Sequence, residues 1–532
     1  MTIDAEREQE TMTSTALALT TADLLFLHSR AALERVAVVD GERHASYGAL
    51  QGQVEALAAS LASLGVRRGD RVIVHLRKSL EEVAAMFACW RIGAVAVNVN
   101  SQWTLDQLRY VASDSGARVA ILDDRRAREL GDLPAPLQAA IVKGKLPEGP
   151  FQPWPAPGER APDRRLLDTD LAAILYTSGS TGAPKGVMLT HANLLVGARS
   201  VARYTGQTPD DRLLSLLPFS FDYGLNQLLT VCLLAARIVI MPVAIPSAIV
   251  ATIQKEGVTG FAAVPPVWMQ VVKYLDEVKR PLPTLRYVTN SGGKIPVPTL
   301  EAMPRVFPGL RIYLMYGLTE AFRSTFLDPE KFDAKKGSMG QGVPNVETFV
   351  VVHGRGLAEP GEQGELVHRG SFISRGYWGR PEATAEKIRA VPELADILGD
   401  EKVVWSGDLV RMDEDGDLWF VGRADGMIKS MGFRLSPNEV EEIVYKSGLV
   451  SQAVAFGVED ELAGQVVELC VAHPEPVDLA ALDAHARGNM PHYMIPRRVH
   501  VWPGEMPRTA SGKIDVPAVV KACKEKGKMQ PA

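Results

Sequence analysis

The chain is 532 residues long, with 46% apolar and 23% charged side chains. That length exceeds one ordinary hydrophobic core, so at least two domains of a globular, enzyme-like protein are expected. Lys and Arg total 58 against 63 for Asp and Glu, a formal net charge of −5, which leaves no bias toward nucleic acid or an anionic membrane surface.

In chain order, "MTIDAEREQETMTSTA" is acidic where a signal peptide needs positive charge ahead of an apolar segment, so a frayed tail is expected. "ALQGQVEALAASLASLG" predicts an amphipathic helix ended by Gly65, and "DRVIVHL" a strand after it. "SLEEVAAMFACWRIGAVAVNVN" repeats the helix-to-strand step. "VAILDD", "RLLSLLPF", "ARIVIMP", "GFAAVPP" and "LRYVTNSGG" predict further short buried strands. This alternation implies an α/β fold with mainly parallel sheets. "LPEGPFQPWPAPGERAPDRR" is Pro-rich and predicts a surface excursion. "LLTVCLLAARIVIMPVAI" is broken by Arg237 and Pro242, so it reads as buried helix and strand rather than a membrane span. From about residue 340, shorter strands and Gly turns predict a β-rich subdomain. Beyond Arg423, a small separate α+β module of about a hundred residues is expected. Cys89, Cys232, Cys470 and Cys523 are scattered, form no disulfide framework, and favour a reducing cytoplasm.

"YTSGSTGAPKGVMLTH", Tyr176 to His191, follows the predicted strand "LAAIL" and leads to the predicted helix "HANLLVGARSVA". A Gly/Ser/Thr loop between strand and helix surrounds phosphate with backbone N–H groups and hydroxyls, and Lys185 adds a positive charge. The nucleotide loop G-x-x-x-x-G-K-[ST] cannot be laid over it. A flexible linker is the plainer alternative, but a Pro-Lys-Gly ending directly before an apolar run is a poor linker.

Six stretches in order carry a resemblance across nearly the whole chain: "YTSGSTGAPKGV", "YGLTE", "GELVHRGSFISRGYW", "WSGDLV", "VGRADGMIKSMGFRLSPNEVE" and "PRTASGKID". The chain resembles the AMP-forming adenylating enzymes: acyl-CoA ligases, luciferases and the adenylation domains of peptide synthetases. The resemblance implies attack of a carboxylate on the α-phosphorus of ATP, giving acyl-AMP and pyrophosphate, then displacement of AMP by a thiol. An anion meets a polyanion in the first step, so charge must be neutralised at the reacting centre.

By the same resemblance, Thr177, Ser178, Gly179, Ser180, Thr181, Gly182 and Lys185 hold the β- and γ-phosphates. Gly292, Gly293, Tyr316 and Gly317 line the nucleotide site, with Tyr316 stacking on adenine. Thr319 contacts the α-phosphate, and Glu320 binds Mg²⁺, which takes hard oxygen ligands. Asp408 receives the ribose hydroxyls with Arg423 assisting, and Lys513 bridges carboxylate and α-phosphate as the catalytic lysine. The implied organisation is a large domain over 1–422 and a small mobile domain over 423–532, hinged near Asp425. Gly432 and Lys429 would face the site in the thiol step.

Many acyl-CoA ligases place P-x-x-H-x-x-G where this chain has "PFSFDYG", which puts Phe221 at the histidine. Phe221-Asp222 resembles instead the Phe-Asp of amino-acid-activating domains, whose aspartate binds the substrate ammonium. A carboxylate in an apolar pocket is costly unless a cation pairs with it. The alternative is that Asp222 caps the helix beginning "YGLNQLL". "FDYGLNQL" and "YGLTEAFRST" are also similar to stand-alone carrier-protein ligases of the prolyl type and to an exosortase-associated group named as acyl-CoA ligases. The expectation is a ligase that adenylates a small amino acid with ATP and Mg²⁺ and loads a free-standing carrier protein's phosphopantetheine. An acyl-CoA ligase for an uncharged acid is the alternative, and a catalytically silent adenylate-binding protein a remote third.

Overall fold

The structure is a computed structural model and describes residues 18–177, 184–424, 426–430, 433–460, 464–490, 492–509 and 512–527. Among these residues the strands form four sheets. In the seven-stranded sheet, Arg71–His75 lies between Val95–Asn98 and Val119–Asp123, with neighbours parallel until the last pair. The nine-stranded sheet runs Arg311–Tyr316, Tyr287–Asn290, Gly260–Ala263, Arg212–Ser215, Arg237–Ile240 and Val36–Asp40 in parallel through its middle.

Helices lie between these sheets for local reasons. Ser46 accepts the Ala49 N–H and starts the helix Tyr47–Ser63, whose Leu50, Val54, Leu57 and Leu61 fall on one buried stripe. Ser79 caps Leu80–Arg91 in the same way. Thr190 and Asn193 form a reciprocal capping box at His191–Thr205. Leu50, Phe87, Trp90, Leu194, Leu228 and Ile238 share one buried cluster, so one core joins the two sheets. Trp90 is fully buried and donates its indole N–H to the Ala172 carbonyl at 2.8 Å; truncating such a side chain costs about 3–5 kcal/mol.

The glycine loop differs from the expected strand–loop–helix. It joins two antiparallel strands, Leu171–Thr177 and Lys185–Thr190, with Thr177 opposite Lys185. The helix begins only at His191. The apolar run after Lys185 is buried at Gly186, Val187, Leu189 and Thr190 and half-buried at Met188, and it extends the sheet before the capping box turns the chain into helix.

Antiparallel strands Val346–Val352, Gln363–Gly370, Val403–Met412 and Leu418–Arg423 give the β-rich region predicted after residue 340. Further on, a five-stranded sheet with helices Pro437–Lys446 and Leu479–Asn489 encloses a core of Val440, Val444, Leu469 and Leu482. All four cysteines are buried thiols. Among the described residues no helix is long and apolar enough to cross a membrane.

Candidate active site

The parallel strands of the nine-stranded sheet finish together at Ser215, Ala263, Asn290 and Tyr316. Their carboxyl ends open a cleft, the usual location for a ligand in such sheets. Tyr316 closes its strand and donates its hydroxyl to Asp408 Oδ2, which arrives on Val403–Met412 from the neighbouring sheet. Gly407, at φ +75°, bends that strand and turns the buried Asp408 inward. Ser406 Oγ accepts the Asp408 N–H at 3.0 Å, and Arg423 approaches Oδ1 to 3.3 Å. Burial pushes the Asp408 carboxyl up, while Arg423, Tyr316, Lys387 and Lys513 pull it back. His368 lies nearly parallel to the Tyr316 ring, 6.0 Å between centroids. Burial drops its pKa to about 3, so it is a neutral plate beneath the tyrosine.

Thr319 and Glu320 occupy the single turn Thr319–Ala321. The Glu320 carboxylate accepts the Tyr377 hydroxyl, and the Lys185 ammonium sits 5.4 Å from the Tyr377 ring centroid. Tyr377 thus brings the phosphate-loop lysine to the candidate metal ligand. The hairpin is fixed there by Met188 N–H on Gly376 O and Trp378 N–H on Gly186 O. Ser178, Gly179, Ser180, Thr181 and Gly182, like Asp425 and Gly432, lie outside the described residues. Lys429 is on the strand Ile428–Ser430, opposite Arg434.

Lys513 reaches the cleft from the C-terminal module. Its turn is braced by Thr509 N–H on Lys513 O and Arg508 on Gly512 O. Gly292, at φ +83°, stands against it: a Cβ there would lie 3.1 Å from Lys513 Cε. The ammonium is 6.0 Å from the Phe221 ring centroid. Lys513 keeps solvent-exposed surface, yet surrounding protein displaces enough bulk water to lower its pKa; Asp222 and Asp408 oppose that shift. An ion pair of 2.6 Å, Lys294 to Glu442 on Pro437–Lys446, docks the module beside Gly293.

Asp222 does not cap its helix. Phe221 is the N-cap residue, with no side-chain cap bond, and Asp222 is the first helical residue of Asp222–Leu234. Its Oδ1 accepts the N–H of Tyr223 at 2.8 Å. Gly224 permits the tight entry, since a Cβ there would lie 2.1 Å from Pro218 O. Asp222 is 4% exposed; burial raises its pKa, and Arg323, the Tyr223 N–H and then Lys513 counter that. Beneath it, Tyr223 and Thr289 are hydrogen-bonded and line a small, mostly apolar cavity with Leu213, Phe261 and Met315 as well as Asn226, Gln227 and Tyr287. Asn226 Nδ2, Gln227 Oε1 and the Tyr287 hydroxyl are buried there with no hydrogen-bond partner among the described residues.

Sequence reasoning missed Arg323, Tyr377, His368 and Lys387. Arg323 lies three residues beyond Glu320, and its burial was the absent clue. Lys387 donates to Ser406 O at 2.6 Å and faces Glu320 and Asp408, with no local pattern to announce it.

A model of the AMP-binding enzyme family matches residues 27–378, and one of the AMP-binding enzyme C-terminal domain matches 439–513. The chain is 33% identical over 484 residues to a feruloyl-CoA synthase of Amycolatopsis sp, covering 90% of this chain and 94% of that protein. It is 31% identical over 497 residues to an L-proline--[L-prolyl-carrier protein] ligase of Streptomyces coelicolor, covering 88% and 90%. The o-succinylbenzoate CoA synthetase of Bacillus subtilis, solved with an acyl-adenylate, superposes with a TM-score of 0.81 at 25% identity, covering 95% and 98%.

Proposed function

The chain belongs to the AMP-binding enzyme family and is an AMP-forming acid–thiol ligase using ATP and Mg²⁺; on that footing we propose that its acid is a small amino acid, delivered to the phosphopantetheine of a separate carrier protein. The observation that carries this reading is Asp222, a carboxylate buried in the cleft wall within the field of Lys513. Arg323 bonds the Asp222 main-chain carbonyl rather than the carboxylate, and an ammonium group on the substrate would be a direct partner for that carboxylate. The likeness to a prolyl-carrier ligase supports the same reading.

Tyr316, Asp408 and Arg423 hold the adenosine; Gly292, Gly293 and Gly317 leave room beside it. Thr177, Lys185 and the loop 178–182 hold the departing pyrophosphate. Glu320 and the Thr319 hydroxyl offer hard oxygen donors, which fit Mg²⁺, and the bound ion supplies positive charge at the phosphates. Lys513 neutralises the carboxylate oxygen and the α-phosphate as the O–P bond forms and pyrophosphate leaves. The small domain then turns near Asp425, bringing Lys429 and Gly432 to the thiol's path. The sulfur attacks the acyl carbon and AMP departs. The setting is the cytoplasm.

A second reading, an acyl-CoA ligase for an uncharged acid, is favoured by one observation: Arg323 already gives Asp222 a cationic neighbour. Pyrophosphate exchange across amino, aryl and fatty acids separates the two. Asp222→Ala should raise the KM for the amino acid by two to four powers of ten, since stranding one partner of a buried charge pair costs about 3–5 kcal/mol. The KM for ATP should hardly move. Wild-type activity confined to uncharged acids, or an unchanged amino-acid KM in the variant, would leave the second reading.

A further inference from the structure

Arg323 is 2% exposed, in the loop that leaves Thr319–Ala321. Its Nη2 donates to the main-chain carbonyl of Asp222 at 3.1 Å. The guanidinium lies 5.0 Å from the Tyr223 ring centroid and 5.6 Å from that of Phe322. Its Nε is buried with no hydrogen-bond partner. A buried cation held by a carbonyl and two rings is costly unless an anion shares its low-dielectric surroundings. Asp222 is that anion.

We propose that Arg323 is a positioning residue, the standing counter-charge that keeps Asp222 ionised and ready for a cationic substrate. This rests on the amino-acid reading of the site. Asp222 would otherwise face the pocket protonated, a poor receiver for an ammonium group. Arg323 donates to the main-chain carbonyl of Asp222, and the Tyr223 N–H takes one lone pair of Oδ1, so lone pairs of the carboxylate remain for the substrate. Besides Arg323, the charged groups felt at Asp222 are Lys513, entering from the C-terminal module, and Glu320, which opposes ionisation. Tyr204 also lies within the field of Arg323.

The test is the KM for the amino acid in pyrophosphate exchange between about pH 6 and 8.5, as the ratio of variant to wild type. Lys513 and Asp222 lie in each other's field, but Lys513 acts on the rate rather than on affinity, and the deaminated acid controls for it, so the KM ratio reports on Asp222. In Arg323→Met, burial of Asp222 is less opposed, its pKa climbs, and the KM ratio should fall about tenfold per unit of that climb as pH rises. Maximal rate should change little, Arg323→Lys should restore a flat ratio, and the deaminated acid should show no pH trend. Should Arg323→Met fail to bind ATP, Arg323→Gln against Arg323→Lys gives the same reading. A ratio raised equally at every pH, or unchanged, overturns the proposal. Asp222→Asn separates the failures: if it leaves the amino-acid KM unchanged, both the substrate reading and this inference fall. If it raises that KM while Arg323→Met stays flat, only this inference falls.

Discussion

Asp408 and Lys513 sit in one cleft but are held by opposite means. Tyr316, Ser406 and Arg423 fix Asp408, and Lys387 braces the turn beneath it through Ser406 O; Tyr316, Lys387 and Ser406 precede the C-terminal module, and Arg423 ends the strand Leu418–Arg423 at its border. Among the described residues Lys513 is braced within its own turn, and its module meets the cleft through packing on Gly292 and the Lys294–Glu442 pair. On the proposed reading, the nucleotide corner is built in advance, whereas the reacting centre would be complete only while the module is docked. Loss of a contact in the first corner should weaken ATP binding by degrees; loss of the second should remove the chemistry.

The largest expected effect is at Lys513. Lys513→Ala should slow adenylate formation by about 10²–10³, the usual cost of deleting one group aimed at transition-state charge, with ATP binding nearly intact. Synthetic acyl-AMP should still yield thioester. Near-normal pyrophosphate exchange would sink the assignment. The cationic form is the active one, and it persists only below the folded pKa, which is lowered. Wild-type adenylation should thus decline on the alkaline side earlier than an ordinary lysine requires, and Lys513→Arg should extend it.

Tyr316→Phe tests the prebuilt corner. It removes one hydrogen bond to a carboxylate, worth about 1.5 kcal/mol, or roughly tenfold in the KM for ATP. Because Arg423 and Ser406 still hold Asp408, the rate at saturating ATP should stay near wild type; a collapse of that rate would erase the contrast. The smallest effect belongs to the docking pair. Lys294→Met or Glu442→Gln should cost about 0.5–1 kcal/mol, two- to fivefold in adenylation, and spare thioester formation from supplied acyl-AMP. Restoration by the charge swap Lys294→Glu with Glu442→Lys would sharpen the point, while equal loss in both steps would point to misfolding.

Much of this architecture was legible because it is local. Helix caps, apolar spacing and glycine turns are short-range signals, and they placed the strands, the helix at Asp222–Leu234 and the β-rich stretch after residue 340. The pairing of the strands that flank the phosphate loop was not, because Lys185–Thr190 is a strand through its ladder with Leu171–Thr177 rather than through a pattern of its own. The capping alternative for Asp222 missed by one position: Phe221 has the extended backbone of the cap, and the carboxylate stands just inside the helix. Arg323 stayed hidden because an arginine in a sequence reads as surface. Its meaning comes from Asp222, a hundred and one residues earlier. Tyr377 and Lys387 likewise acquire roles only when distant strands bring Glu320 and Ser406 to them.

The small cavity beneath Tyr223 bears on how this site can change its diet. Tyr223 stacks under Arg323, is bonded to Thr289, and lines a space shared by apolar Leu213, Phe261 and Met315 with three polar atoms, Asn226 Nδ2, Gln227 Oε1 and the Tyr287 hydroxyl, that have no partner among the described residues. A lineage that trimmed this ring would gain length in its acid pocket, with mixed walls. The apolar side accepts a methylene chain, but such a chain leaves the three polar atoms unsatisfied, whereas a hydroxyl or an amide at its end serves them. Drift at Tyr223 therefore favours acids with a polar tail, and a fatty chain fits better once Asn226, Gln227 and Tyr287 change as well.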